Sequence, residues 1–185
     1  MKANSNKSIT LVLGGVRSGK SNFAQNLVND AGGRIAFIAT AEALDAEMEQ
    51  RIARHREDRP ASWVTLEAPL ALEDSILQCS GLFDIILVDC LTLWTSNLMA
   101  DEGGDVDRIF ARADRLCEAL RQVSSQLVLV SNEVGSGIVP ESSAGRLYRD
   151  LLGGVNQRVA AVADRVLLLV AGCPLTVKNT TAGGS

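Results

Sequence analysis

The chain predicts an α/β fold with a mainly parallel sheet flanked by helices. Three observations carry that expectation. Short apolar runs alternate along the sequence with amphipathic helical stretches, the order that produces parallel strands joined by crossover helices. The 185 residues are 46% hydrophobic but only 4% aromatic, so the interior must be aliphatic, as suits a sheet covered on both faces. The octet Gly14-Gly15-Val16-Arg17-Ser18-Gly19-Lys20-Ser21 fits G-x-x-x-x-G-K-[ST] at every fixed position and stands between a strand-like and a helix-like run.

Taken in order, Ile9 to Leu13 is an apolar, β-branched run and reads as a buried strand. Asn22 to Asn29 reads as a helix, with Phe23, Ala24, Leu27 and Val28 at helical spacing. Arg34 to Ala39 is a second strand, ending in Thr40. Asp45 to Glu57 is a predicted helix that places Met48, Ile52 and His55 on one side and stops before Pro60. Trp63 to Glu67 alternates like a strand, and Pro69 is expected to open a helix reaching Gln78. Asp84 to Asp89 is the clearest buried strand. A helix over Leu91 to Met99 is broken at Gly103-Gly104, and Val106, Ile109, Phe110, Ala113, Leu116, Leu120 and Val123 mark the next. Leu127 to Val130 is a strand running on into Ser131-Asn132-Glu133. Glu141 to Ala163 is helical with an expected weak point at Gly153-Gly154, and Val166 to Val170 is expected to be the last strand. Residues 1–8 and 179–185 read as disordered tails on a single domain, residues 9–178.

The chemistry starts at the octet. Strand, glycine-rich loop and helix together aim backbone N–H groups and the positive end of a helix dipole at a phosphate chain. In this P-loop pattern Lys20 reaches the β- and γ-phosphates and the Ser21 hydroxyl sits on Mg²⁺. Asp89 closes an apolar strand, where α/β folds bind ligands. It fits a carboxylate that helps hold the metal, the favoured reading, and it also fits a cap for the helix that follows. His55 is the only histidine, and Arg51, Arg54, Arg56 and Arg59 surround it. A packed side chain beside a solvated basic face is one reading. The other is a nucleophile: with an unperturbed pKa of about 6.5, much of the imidazole is neutral near pH 7 and could accept a nucleotidyl group. Asn132, Glu133 and Glu141 fit substrate or water contacts and local capping alike. Trp63 and Trp94 are expected in the core.

Other classes are disfavoured. The formal charge of −4 argues against sequence-independent nucleic-acid binding. No apolar run is long enough for a membrane-spanning helix and Met1 to Ser8 lacks a signal-peptide core, so a cytoplasmic enzyme is expected. Cys79, Cys90, Cys117 and Cys173 form no C-x-x-C pair, and Cys90 and Cys117 read as small core residues. The D-x-x-G and N-K-x-D motifs of a GTPase switch are missing: Asp89 is followed by Cys90-Leu91-Thr92, and Asn132 by Glu133-Val134-Gly135. The rivals are a single-activity P-loop kinase for a small metabolite, with His55 structural, and a RecA-type nucleotide-binding regulatory module.

Beyond the octet, several stretches carry a resemblance: Ile38-Ala39-Thr40-Ala41, Asp45-Ala46-Glu47-Met48, Arg51-Ile52-Ala53-Arg54-His55-Arg56 with Arg59-Pro60, and Trp63-Val64-Thr65-Leu66-Glu67. They continue with Leu87-Val88-Asp89-Cys90-Leu91-Thr92-Leu93-Trp94, Ser96-Asn97-Leu98, the run from Val130 through Glu141, and Val155-Asn156-Gln157-Arg158. Over residues 9–178 the chain resembles the bifunctional adenosylcobinamide kinase / adenosylcobinamide-phosphate guanylyltransferase family of cobalamin biosynthesis. Gly145 and Gly153-Gly154 look less typical of it. The resemblance implies a RecA-like P-loop fold, a homotrimer, and a nucleotide site made by Gly14, Gly15, Val16, Arg17, Ser18, Gly19, Lys20, Ser21, Ala39, Thr40, Ala41, Arg56, Glu57, Asp58, Arg59, Glu67 and Asp89. It implies two reactions using ATP and GTP: phosphorylation of adenosylcobinamide, then transfer of GMP from GTP to adenosylcobinamide phosphate. In the second reaction His55 is implied to become covalently guanylylated.

Overall fold

The computed structural model describes residues 7–42 and 60–180. The expected helix over Asp45 to Glu57 lies outside the described residues. The first half of the chain gives β1 (Ile9–Gly14), α1 (Lys20–Ala31), β2 (Ile35–Ala39), β3 (Val64–Glu67), α2 (Leu72–Cys79) and β4 (Ile85–Asp89). The second half gives α3 (Leu91–Asp101), α4 (Val106–Gln122), β5 (Gln126–Asn132), α5 (Ser143–Val162), β6 (Arg165–Val170) and β7 (Cys173–Asn179). Among the described residues the strands form one seven-stranded sheet in the order β3-β2-β4-β5-β1-β6-β7. Every pairing is parallel except that of β6 with β7.

The aliphatic composition is spent on two layers. On one face Leu11, Ile38, Ile86, Val88 and Leu129 pack against Leu72 and Ile76 of α2, Trp94 and Leu98 of α3, Leu116 and Leu120 of α4, and Val155 and Val159 of α5. On the other, Val12, Phe37, Leu87, Val128, Val130 and Leu167 pack against Ala24 and Val28 of α1. Burial on both sides is why the central strands read as unbroken apolar runs and not as alternations. Both tryptophans are core residues. Trp94 is fully buried with Nε1 donating to Leu70 O (3.0 Å), and Trp63 stacks on Phe37 with ring centroids 6.4 Å apart. Cys79 and Cys117 are buried in the core, and Cys90, just after β4, is half-buried and packs against the layer of Val12 and Phe37. Among the described residues no helix is long and apolar enough to cross a membrane.

Local chemistry sets the helix limits and corrects several sequence expectations. Gly103 and Gly104, at φ 60° and 79°, end α3, and Asp105 then caps α4 by accepting from the N–H groups of Asp107 and Arg108. The helix expected to open at Pro69 begins only at Leu72. The intervening carbonyls are held by side chains instead: Pro69 O accepts from Asn97, and Leu70 O from Trp94 and from Arg112 (2.7 Å). Arg112 is anchored in turn by buried Glu73 (2.8 Å). The expected weak point at Gly153-Gly154 is absent, because α5 runs through both glycines. A Cβ on Gly154 would lie 2.5 Å from Phe110 Cε1, so this glycine lets α4 and α5 approach.

β6 is not the last strand. Ala171 and Gly172, at φ 51° and 81°, make a two-residue turn of the kind that returns a hairpin, and β7 pairs antiparallel with β6. Asn179 pairs with Arg165 and Thr180 N donates to Asp164 O (2.9 Å), so ordered backbone continues past the expected limit at residue 178. At the other end Ser8 O accepts from Leu127 N (2.8 Å), ahead of the expected start at residue 9.

Candidate functional site

The parallel strands end along one edge of the sheet, and the candidate residues gather there. Gly14 closes β1. A Cβ at this position would lie 2.4 Å from Ser18 Oγ and 2.9 Å from Leu169 O, so only glycine lets the loop fold back over the strand. Ser18 N donates to Gly15 O (3.3 Å), Arg17 and Gly19 take positive φ (57° and 87°), and α1 starts at Lys20. Gly19, as N-cap, offers no side chain, so the first N–H groups of α1 remain outward-facing donors for an anion. Gly15 is surrounded by open space, Val16 and Arg17 are exposed at the tip, and Ser18 Oγ is buried without a partner. A contact from far along the chain completes the loop: Gly172 N, in the β6–β7 turn, donates to Ser18 O (2.9 Å).

Lys20 Nζ donates to Gly15 O (3.1 Å). Burial pushes the Lys20 ammonium below its usual range, while the charges of Cys90 and Asp89 pull the other way. Burial and the neighbouring Asp89 hold the Cys90 thiol up at about 11, so it is neutral at neutral pH. The coulombic pull left on Lys20 is that of Asp89.

Asp89 is half-buried at the end of β4, in register with Ala39 of β2 and Val130 of β5. The peptide that follows it, Asp89–Cys90, is cis. Fully buried Thr40 clasps this corner: its hydroxyl donates to Cys90 O (2.7 Å) and accepts from Cys90 N (2.9 Å), while Thr40 N donates to Asp89 O (3.3 Å). Asn97 Nδ2 fastens Thr40 O (2.8 Å) and Pro69 O (3.0 Å). Thr40 thus turns its hydroxyl inward, and Ala39 and Ala41 beside it are half-exposed. Glu67 ends β3, exposed and in register with Ala39.

The fold thus brings Gly14 to Ser21, Ala39 to Ala41, Glu67 and Asp89 to one edge. His55, Arg56, Glu57, Asp58 and Arg59, with Arg51 and Arg54, lie outside the described residues. Glu133 takes the capping use, accepting from Gly135 N (2.7 Å) and Ser136 N (3.2 Å). Burial pushes its carboxyl up, but the hydrogen bonds from Ser136 and Gly135 outweigh that and hold it below the usual carboxylate range. Glu141 is exposed, and its carbonyl accepts from Arg146 (2.6 Å). Sequence reasoning missed the Gly172 contact and the roles of Thr92, Tyr148 and Asn156. Thr92 Oγ1 accepts from Asn132 N (2.8 Å), Tyr148 Oη donates to Thr92 O (3.0 Å), and Asn156 Nδ2 donates to Asn132 O (2.9 Å). Such contacts join residues far apart in the chain, and no local pattern announces them.

Residues 10–177 match the family described as cobinamide kinase / cobinamide phosphate guanyltransferase. The chain belongs to that family. The bifunctional adenosylcobalamin biosynthesis protein CobP of Pseudomonas aeruginosa is 44% identical over 169 residues, 91% of this chain and 96% of that protein. The protein CobU of Escherichia coli K12, described in the same words, is 40% identical over 179 residues, covering 91% and 98%. A solved protein of Pyrococcus horikoshii OT3 shares the fold at 10% identity, with a TM-score of 0.58 over 93% of this chain and 86% of that one. The chain is accordingly an enzyme of the cobinamide kinase / guanyltransferase family on a P-loop nucleotide-binding fold. Among the described residues no cluster of three or more His, Cys, Asp or Glu could hold a metal. The hard oxygen donors of Ser21 and Asp89 instead suit Mg²⁺, which takes few protein ligands when it also binds phosphates.

Proposed function

We propose that this enzyme phosphorylates the hydroxyl of the aminopropanol arm of adenosylcobinamide, and then transfers GMP from GTP to the product, giving adenosylcobinamide-GDP and pyrophosphate. The observation that carries the proposal is the phosphate loop with Lys20 in the field of Asp89, in a chain that matches the family over nearly its whole length.

In the guanylyl step a ring nitrogen of His55 attacks the α-phosphorus of GTP, and the bond from that phosphorus to the α,β-bridging oxygen breaks. The N–H groups of the loop and Lys20 hold the departing pyrophosphate. The phosphate of adenosylcobinamide phosphate then attacks the same phosphorus, breaks the P–N bond and restores free imidazole. Arg56 and Arg59 would orient phosphate oxygens, Ala39 and Ala41 would line the nucleotide with main chain, and Glu57, Asp58 and Glu67 would complete its surroundings. Ser21 and Asp89 would hold Mg²⁺, which when bound neutralises charge on the phosphates. In the kinase step ATP or GTP gives its γ-phosphoryl group directly to the hydroxyl, with no covalent role for His55. A homotrimer in the cytoplasm is the proposed working form.

The test uses α-labelled GTP and two variants. His55→Ala should abolish the protein–GMP adduct and retain phosphorylation of adenosylcobinamide, while Lys20→Ala should depress both reactions by about 100-fold or more. A labelled adduct on the His55→Ala protein would sink the assignment.

A further inference from the structure

Two apolar patches stand in solvent, and each belongs to an element bonded to the phosphate loop. The first is on the closing hairpin. Val166 packs in the α5-side layer, whereas Leu167 and Leu169 pack in the α1-side layer. Side chains alternate along a strand, so Leu168 and Val170 stand on the α5 side. Leu175 and Cys173, opposite them on β7, share that face. Val177 follows Leu175 at the register shift. Val170, Leu175 and Val177 are 60%, 59% and 61% exposed. β7 ends the sheet, and no strand flanks its outer edge among the described residues. Lysines commonly guard such edges. Here Lys178, the one charged residue of β7, is instead folded back onto the carbonyls of Ala160 and Ala161.

The second patch is on the loop from β5 to α5. From Val134 to Pro140 this loop carries no charged residue. It is nevertheless firmly held. Glu133 caps Gly135 N and Ser136 N, Arg149 donates to Gly135 O, and Arg146 donates to Pro140 O (3.1 Å) and Glu141 O. On this fixed frame Ile138 is 97% exposed and Val139 60%. Apolar, charge-free surface on a held frame marks a contact site. The rest of the chain is a poor cover for it. Residues 1–6 and 181–185 together hold one apolar side chain larger than alanine, Met1. Residues 43–59 are tied at both ends beside β2 and β3, and β2 lies five strand spacings, about 24 Å, from β7.

We infer that the hairpin face of one copy of this chain seats on Ile138 and Val139 of the next. The inference rests on the homotrimer of the proposed function and names the surfaces that build it. Contacts between unlike patches run head to tail and close into rings, as three copies require, whereas like on like stops at two. The contact also bears on the nucleotide site. Gly172 N, in the hairpin turn, donates to Ser18 O (2.9 Å), and Glu133 N, at the root of the other loop, donates to Gly14 O (3.1 Å). Each phosphate loop is thus braced by two neighbours, one through the hairpin and one through the β5–α5 loop.

The experiment weighs the full chain by light scattering at assay concentration, as wild type and as Leu175→Lys and Ile138→Asp. Wild type should have the mass of three chains and each variant that of one, since a charge on either patch would have to be desolvated in the contact. Both positions are exposed in the single chain, so the variants should still melt cooperatively. Their affinity for GTP, measured by calorimetric titration, should fall by about 10-fold or more. Copper-phenanthroline oxidation of Ile138→Cys should join the new thiol to the native Cys173 of the next copy, giving linked dimers and trimers that a further Cys173→Ser abolishes. Wild-type mass in either variant would overturn the inference, as would linked dimers formed through Cys173 alone, the mark of like on like. A fall in mass with GTP affinity unchanged would overturn the bracing of the phosphate loop. A wild-type protein with the mass of one chain has a different signature: it removes the homotrimer, and this inference with it, and leaves the two reactions standing.

Discussion

The phosphate loop and the Asp89 corner share one edge of the sheet but keep their shapes by different means. The loop is a backbone object. Gly14 is required by the approach of Ser18, Gly19 by a φ of 87°, and the outer bond to Ser18 O comes from a main-chain N–H. The corner is a side-chain object. One buried hydroxyl, Thr40 Oγ1, joins β2 to the residue after Asp89, and Asn97 fastens Thr40 from α3. A backbone object fails when a Cβ is added; a side-chain object fails when one atom is removed and the hole is left dry. Lys20 belongs to both, since it starts the helix of one and feels the charge of the other.

The largest effect should come from Gly14→Ala. A contact of 2.9 Å to a main-chain oxygen cannot be relieved by a rotamer change, so the loop must shift. Nucleotide affinity should fall by about 100-fold or more, with a stability loss of about 1–3 kcal/mol, read by calorimetric titration and thermal melting. Wild-type affinity in this variant would show that the loop tolerates what the geometry forbids. Next comes Thr40→Val, which keeps the shape and strips the hydroxyl. Two part-buried main-chain groups of Cys90 lose their partner, which should cost about 1–3 kcal/mol and lower Tm by about 2–4 °C for each kcal/mol. Turnover should drop in both half-reactions while nucleotide affinity changes less than in Gly14→Ala. If affinity collapses and Tm does not, the corner is a contact surface and not a clasp.

The smallest effect is one of pH, and it joins the two regions. Lys20 is held below 10.5 in the free protein, and a bound triphosphate favours its ammonium. Binding therefore takes up a proton in the window between the two values. Affinity should weaken as pH rises through the lowered value, before an ordinary lysine would titrate. Asp89→Asn removes the nearby negative charge and should move the decline to lower pH; Lys20→Arg should flatten it. Titrations across alkaline pH, in buffers of different ionisation heat, read both the affinity and the proton.

How far all this could be read in advance depended on distance along the chain. β1, β2, β4 and β5 were visible because strands buried on both faces need uninterrupted aliphatic runs. The octet was visible because the glycines, Lys20 and Ser21 act as neighbours. β7 was hidden: it is an exposed edge strand carrying Pro174 and Lys178, reached through an Ala-Gly turn that lacks the usual Asn-Gly signal. Gly153-Gly154 misled because a glycine pair weakens an isolated helix, whereas here Gly154 makes room for Phe110 of the neighbouring helix. Thr40 was picked out, but its inward-turned hydroxyl depends on Cys90, which reaches it only when β2 and β4 lie side by side.

The bond from Gly172 to Ser18 has a consequence for synthesis. The octet leaves the ribosome well ahead of Gly172, the residue that supplies its last donor. An emerging chain carries the whole octet long before it can hold the octet's shape, so competence for nucleotide arrives late, with the closing hairpin.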